Sequence, residues 1–242
     1  MKVSLRFVAL GALVLTPLLG PLAAGSATSS GHALLAAALT DARKYPSYET
    51  YSAFTASGSP SSITYFVTTK AQKDIDTEQE TGTVFIVQPT DVHRLFFRAT
   101  TVHALLLFLN VSAPTGSEVG RWFYLDSSDQ RYQKLAPSGP QTVATQFVIG
   151  PRAFGSAATY EGVTTLRGSK VIKLGVTSSM MSPTNALIPM VLYVTDSDRP
   201  MPYATVGNIG DIPSPVTSYF SEWGTVPAIH IPSSDVTIHT LR

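Results

Sequence analysis

The chain has 242 residues, 44% of them apolar and 14% charged, with 17 basic side chains against 16 acidic ones and no cysteine. The missing thiols exclude disulfides, cysteine–zinc sites and thiol catalysis, and the near-neutral balance supplies no long-range field for nucleic acid or an anionic surface. Charge is well below the quarter or so of an ordinary soluble domain, so apolar surface is the compositional feature with functional content.

Lys2 and Arg6 precede an uncharged apolar run, 7–24, that closes on the small residues Ala23, Ala24, Gly25 and Ser26. This is the three-part layout of a secretory signal. The run is long enough to serve as a membrane anchor, but Pro17, Gly20 and Pro21 interrupt the continuous helix an anchor requires. We expect a signal peptide at 1–25, cleaved near Gly25 or Ser26, then a small-residue linker at 26–31 and a single domain over 32–242. Without disulfides that domain depends on a hydrophobic core, which its length can supply.

Residues 32–44 place Leu34, Leu35, Ala38, Leu39 and Ala42 on one helical face, and Pro46 ends the helix. Strands follow at 47–57, 62–70, 81–87 and 92–100, rich in Tyr, Phe, Val, Ile and Thr at period two, with turns at Gly58-Ser-Pro60 and Gln88-Pro-Thr-Asp91. The polar stretch 73–80 reads as a hairpin tip or an edge strand with its charges outward. Five consecutive apolar residues, Leu105 to Leu109, fit either a buried strand or a short buried helix. A short helix at 141–147 follows, reached through Pro137-Ser-Gly-Pro140. Strands at 157–166, 169–176, 190–195, 201–207 and 216–223 complete the chain, with an extended stretch to Thr240. The absence of β-α-β alternation predicts one antiparallel sheet of α+β class.

No catalytic constellation emerges. His32, His93, His103, His230 and His239 are scattered with no i, i+4 pair, so they make no metal motif. Asp74/Asp76 and Asp196/Asp198 lack the further oxygens and the glycine of a calcium loop, and 196–200 reads as a tight turn. There is no Gly-x-Ser-x-Gly elbow, no Gly-x-Gly-x-x-Gly and no phosphate-cradling Gly-Lys-Ser loop. Asn110-Val-Ser112 is a formal glycosylation sequon, read as an Asn at a helix end. We expect no enzyme activity, no cofactor, no metal and no nucleic-acid partner.

Four stretches carry a resemblance: Gly120-Arg-Trp122, Arg167-Gly-Ser-Lys-Val-Ile-Lys173, the strand from Leu192 into Asp196-Ser-Asp-Arg-Pro-Met-Pro202, and Phe220-Ser-Glu-Trp-Gly-Thr-Val-Pro227. Together they resemble the LolA-like group of exported bacterial proteins, the LppX/LprG lipoprotein type, which are half-barrels that carry lipid. The resemblance implies a helix at 101–111, a strand at 120–125 directly after it, and a strongly curved antiparallel β half-barrel of roughly ten strands, with helices covering its concave face. It further implies an apolar cavity that takes the acyl chains of a lipid or glycolipid. Leu105, Leu106, Phe108 and Leu109 would form its lid with Val143, Phe147 and Val148; Tyr65, Phe85, Phe97 and Tyr124 would form its floor. Leu22-Ala-Ala-Gly-Ser26 departs from the group, because Ser26 stands where the lipid-bearing Cys belongs and a hydroxyl cannot replace the thiol in that chemistry. The expected product is therefore unacylated, and either secreted or loosely held in the cell envelope. The rival expectation is an envelope protein-interaction or sensor module without a lipid cavity, pairing with its partner through an edge strand. Trp223 is expected to pack on the sheet, with Gly224 in a conformation that other residues resist.

Overall fold

A computed structural model describes residues 24–56, 58–90, 93–109, 116–135, 143–148, 153–180, 186–208 and 214–233. The expected signal falls almost wholly outside them. Helix α1 spans Ala24–Ala42, so the segment 26–31 expected as a linker is helical and the helix begins eight residues earlier than its apolar stripe suggests. Its buried face is the expected one: Leu35, Ala38, Leu39 and Ala42 are fully enclosed. Gly31 extends that face, lying so close to the sheet that a Cβ there would meet Ala158 O at 2.6 Å and Tyr160 N at 2.7 Å.

Six strands follow as a meander: β1 Tyr48–Ala56, β2 Ser59–Val67, β3 Ala71–Glu78, β4 Gly82–Pro89, β5 Arg94–Ala99 and, after helix α2 Val102–Leu109, β6 Phe123–Asp126. Helices α3 Gln130–Leu135 and α4 Val143–Gln146 then lead to a second meander. It comprises β7 Phe154–Leu166, β8 Ser169–Ser178, β9 Ile188–Thr195, β10 Pro202–Gly207 and β11 Val216–Ser221. All eleven strands belong to one antiparallel sheet in the order β6-β5-β4-β3-β2-β1-β11-β10-β9-β8-β7. The first and last strands meet in the middle, and the sheet stays open between β6 and β7.

Local chemistry accounts for the turns and helix ends. Arg167 and Gly168 both take positive φ, 49° and 79°, which a two-residue hairpin loop between Leu166 and Ser169 requires. Thr101 caps α2 by accepting the Ala104 N–H at 3.1 Å. Asp129 caps α3 through the Arg131 N–H at 2.8 Å and holds the Arg131 guanidinium by its Nε and Nη2, the latter at 2.6 Å. The sequence reading missed α3, and Asp129 was its available signal. The reading of 73–80 needs correction. Residues 79–80 do lie in the β3–β4 hairpin turn, but β3 is an interior strand rather than an edge, paired on both sides, because its charges alternate and two flanking strands satisfy its backbone.

Candidate functional site

Residues facing each other across an antiparallel ladder share a face, so the register assigns every side chain to one side of the sheet. One row runs Phe220, Thr50, Tyr65, Asp74, Ile86, Phe97 and Phe123. Its neighbour runs Tyr160, Leu174, Leu192, Thr205, Ser218, Ser52, Ile63, Asp76, Val84 and Ala99. These rows form the core face, and its apolar residues fall into two separate clusters.

The larger cluster joins α1 to β1, β7–β9 and β11 through Leu35, Leu39, Phe154, Leu174 and Leu192. Its end is aromatic: Phe147, just past α4, sits 5.0 Å from Tyr48, 5.4 Å from Phe220 and 5.2 Å from Trp223 between ring centroids. Trp223 stacks on Tyr48 at 5.4 Å. The smaller cluster joins α2 and α3 to β4–β6 through Ala104, Leu105, Tyr132, Ile86, Phe97 and Leu125.

A polar strip separates the clusters. On β3 the half-buried Asp74 lies between Tyr65 and Ile86, and Asp76 between Ile63 and Val84. Within the span of the larger cluster, on β1, β10 and β11, the buried hydroxyls of Ser52, Thr205 and Ser218 lie on the row of Asp76, with Ser52 Oγ and Ser218 Oγ 2.5 Å apart. Burial, and secondly the charge of Asp74, pushes the Tyr48 phenol well above its ordinary range. Tyr65 is raised by burial, then by Tyr48 and Asp74. Both phenols are therefore neutral donors at any working pH. Tyr48 Oη and Gln88 Nε2 are buried with no hydrogen-bond partner, and their residues lie on one row with Val67 and Gln72 between them. Among the described residues no group of three His, Asp or Glu side chains could hold a metal ion.

The structure divides the residues expected to line a cavity. Leu105, Phe97 and Phe147 are fully buried in the clusters, and Tyr65 is half-buried against the larger one. Leu106, by contrast, is 42% exposed on α2. Phe85 and Tyr124 need correction: register pairs them with Arg98 and Phe96, which puts both on the opposite face. Period two forces this result, since Phe85 is one residue from the inward Ile86 and Tyr124 one from the inward Phe123. The side chains of Phe108, Leu109 and Val143 lie outside the described residues, and Val148 is half-buried at the edge of the larger cluster. Sequence reasoning missed Tyr48, Gln88 and the inward Asp74 and Asp76. The alternation of Gln72, Asp74, Asp76 and Glu78 with Lys73, Ile75 and Thr77 was the signal that could have found the acidic pair.

The fold defines a class: an open antiparallel sheet of eleven strands with few helices. No family model and no curated protein matches the chain. Among solved structures it is similar to LprF from Mycobacterium bovis, at 13% identity and a TM-score of 0.47 over 86% of this chain and 98% of that one. It is similar also to the lipoprotein LppX from Mycobacterium tuberculosis, at 12% identity and a TM-score of 0.46 over 82% and 98%. A DUF1329 family protein from Desulfovibrio piger matches at 8% identity and a TM-score of 0.29 over 81% and 91%.

Proposed function

We propose that the chain is an exported, non-catalytic carrier whose core face holds the acyl chains of a lipid or glycolipid. The observation that carries this reading is the division of one sheet face into two apolar clusters. Between them lie the half-buried Asp74 and Asp76 of β3, and two buried donors have no partner, Tyr48 Oη in the larger cluster and Gln88 Nε2 on the same register row. A protein that only needed a core would gain by merging the clusters and would leave no orphaned donor, since each costs about 1–3 kcal/mol. An amphiphile supplies what both lack, apolar chain for the gap and acceptor oxygens for the donors. Each methylene withdrawn from water contributes about 0.8 kcal/mol, so two acyl chains outweigh the ordering of a few side chains. In this reading α2 and the segment around Phe147 form the lid, and release follows when they part.

Mass spectrometry of an organic extract of the purified protein is the test, with stoichiometric lipid as the expected result. Leu106→Asp should leave a folded protein that takes up no lipid, because Leu106 reaches solvent and its carboxylate stays hydrated. Leu105→Asp should unfold the chain, because that side chain is fully enclosed. An extract free of lipid, or unaltered uptake by Leu106→Asp, overturns the carrier. One observation favours the rival reading, a partner-binding envelope module: β7 is a 13-residue edge strand with Val163 48% exposed, open to pairing with another chain. Lipid-free protein that captures a partner through β7 would support it.

A further inference from the structure

The other face of the sheet carries a different pattern. One register row there runs Glu49, Phe66, Lys73, Val87, Phe96 and Tyr124, and the next runs Tyr51, Thr64, Ile75, Phe85 and Arg98. Arg94, two residues before Phe96, shares this face. Over β2–β6 the described residues on this side include Lys73, Arg94 and Arg98 against one carboxylate, Asp126, which is paired in register with Arg94. Glu49 closes the row on β1, where burial and then Glu222 raise its carboxyl above the usual range.

Each of the three cations lies on a ring. Lys73 Nζ is 5.7 Å from the Phe66 centroid and the Arg94 guanidinium 5.4 Å from that of Tyr124. The Arg98 guanidinium contacts both Phe85, at 4.3 Å, and Trp122, at 5.1 Å. The four ion pairs among the described residues use none of them, and Arg98 Nε is buried with no hydrogen-bond partner. A cation resting on a ring keeps its charge uncancelled and its outer N–H donors available to a phosphate. Half-buried Trp, Tyr and Phe side chains beside such cations suit the headgroup zone of a bilayer, where an amphipathic ring is stable.

We propose that this face of β2–β6 docks on the surface of an anionic bilayer, with Lys73, Arg94 and Arg98 meeting lipid phosphates and Trp122, Tyr124 and Phe85 settling among the headgroups. The near-zero net charge of the chain does not oppose this, because attraction to a bilayer acts within a Debye length and depends on the local excess of cations. The surface is distinct from the acyl site, since it uses the reverse side of the same strands, and its test involves no cargo.

The test is flotation of the whole protein with phosphatidylcholine vesicles, with and without phosphatidylglycerol, at low and high salt. Binding should require phosphatidylglycerol and be reversed by salt. Removing two charges in Lys73→Gln/Arg94→Gln should weaken it by about five-fold per charge. A control of equal charge, Lys44→Gln/Lys170→Gln, should bind like the wild type, and circular dichroism should show both pairs folded. Tryptophan emission should shift to the blue on binding in the wild type, and Trp122→Phe should abolish the shift. Equal binding to neutral vesicles, no binding to either kind, or wild-type partition by the Lys73/Arg94 pair overturns the proposal. So does displacement from vesicles by a single-stranded oligonucleotide, which would give the surface to nucleic acid.

Discussion

Trp223 and Gly224 show how much one corner can hold. The Trp223 ring, itself half-buried, lies 5.4 Å from Tyr48, 5.2 Å from Phe147, 6.2 Å from Phe220 and 6.0 Å from Tyr45. It thereby ties the end of β11 to the start of β1 and to the segment after α4. Gly224 has φ 77° and donates its N–H to Ser47 O at 2.8 Å, while a Cβ there would press on Tyr45 at 3.0 Å. The sequence expectation of a packed Trp before a conformationally special Gly agrees with this geometry. A fully enclosed Trp lost to Ala costs about 3–5 kcal/mol, and partial exposure lowers the expectation for Trp223→Ala to about 2–3 kcal/mol. Urea titration measures it, and Trp223→Phe should recover more than half of the loss. A loss below about 1 kcal/mol would mean the ring cluster contributes little.

At the level of elements, the clearest fit between sequence and packing is α1 against β7. Leucine and alanine at helical spacing marked the buried face, but nothing in the pattern marked Gly31 as a contact. A glycine inside a helix ordinarily loses about 1 kcal/mol relative to alanine, so propensity alone makes Gly31→Ala stabilising. The geometry reverses the sign. The added methyl would sit within 3.0 Å of Ala158 O, Tyr160 N and Thr159 C, all backbone atoms that cannot swing away. We expect Gly31→Ala to destabilise by about 1–3 kcal/mol through displacement of α1 from the sheet. Gly116→Ala, where a Cβ meets nothing within 4 Å, should be neutral in the same thermal melts. β3 teaches the converse lesson. Its acidic content suggested an edge, but alternation places Asp74 and Asp76 on the core face and leaves Lys73 on the other, which an interior strand can accommodate when both faces carry polar neighbours.

The whole molecule turns on the seam where β1 meets β11. Two meanders, each built from neighbouring strands, become one sheet only through this pairing of first strand with last, and Ser52 and Ser218 share a buried hydrogen bond across it. Ser52→Ala alone strands the Ser218 hydroxyl and should cost about 1–3 kcal/mol, whereas Ser52→Ala/Ser218→Ala should cost clearly less than the sum of the single changes. A double-mutant cycle by urea titration checks this, and additive losses would show that the two hydroxyls do not interact.

The sequence by itself determined the local matters. Period two and turn residues located nine of the eleven strands to within a few residues, and helical spacing located the buried stripe of α1, because both signals lie within a single stretch of chain. The apolar run of α2 fits a strand or a helix by its own pattern, and only the resemblance to the LolA-like group implies a helix there. What only the tertiary structure decided is which strands are neighbours and which face each row occupies. The consecutive strands β6 and β7 lie at opposite edges, while β1 and β11, farthest apart in the chain, are joined. Alternation states that Phe85 and Ile86 point opposite ways but is indifferent to which one meets the helices. That choice comes from pairing between distant segments, and so does the sorting of Lys73, Arg94 and Arg98 to one side of the sheet and Asp74 and Asp76 to the other.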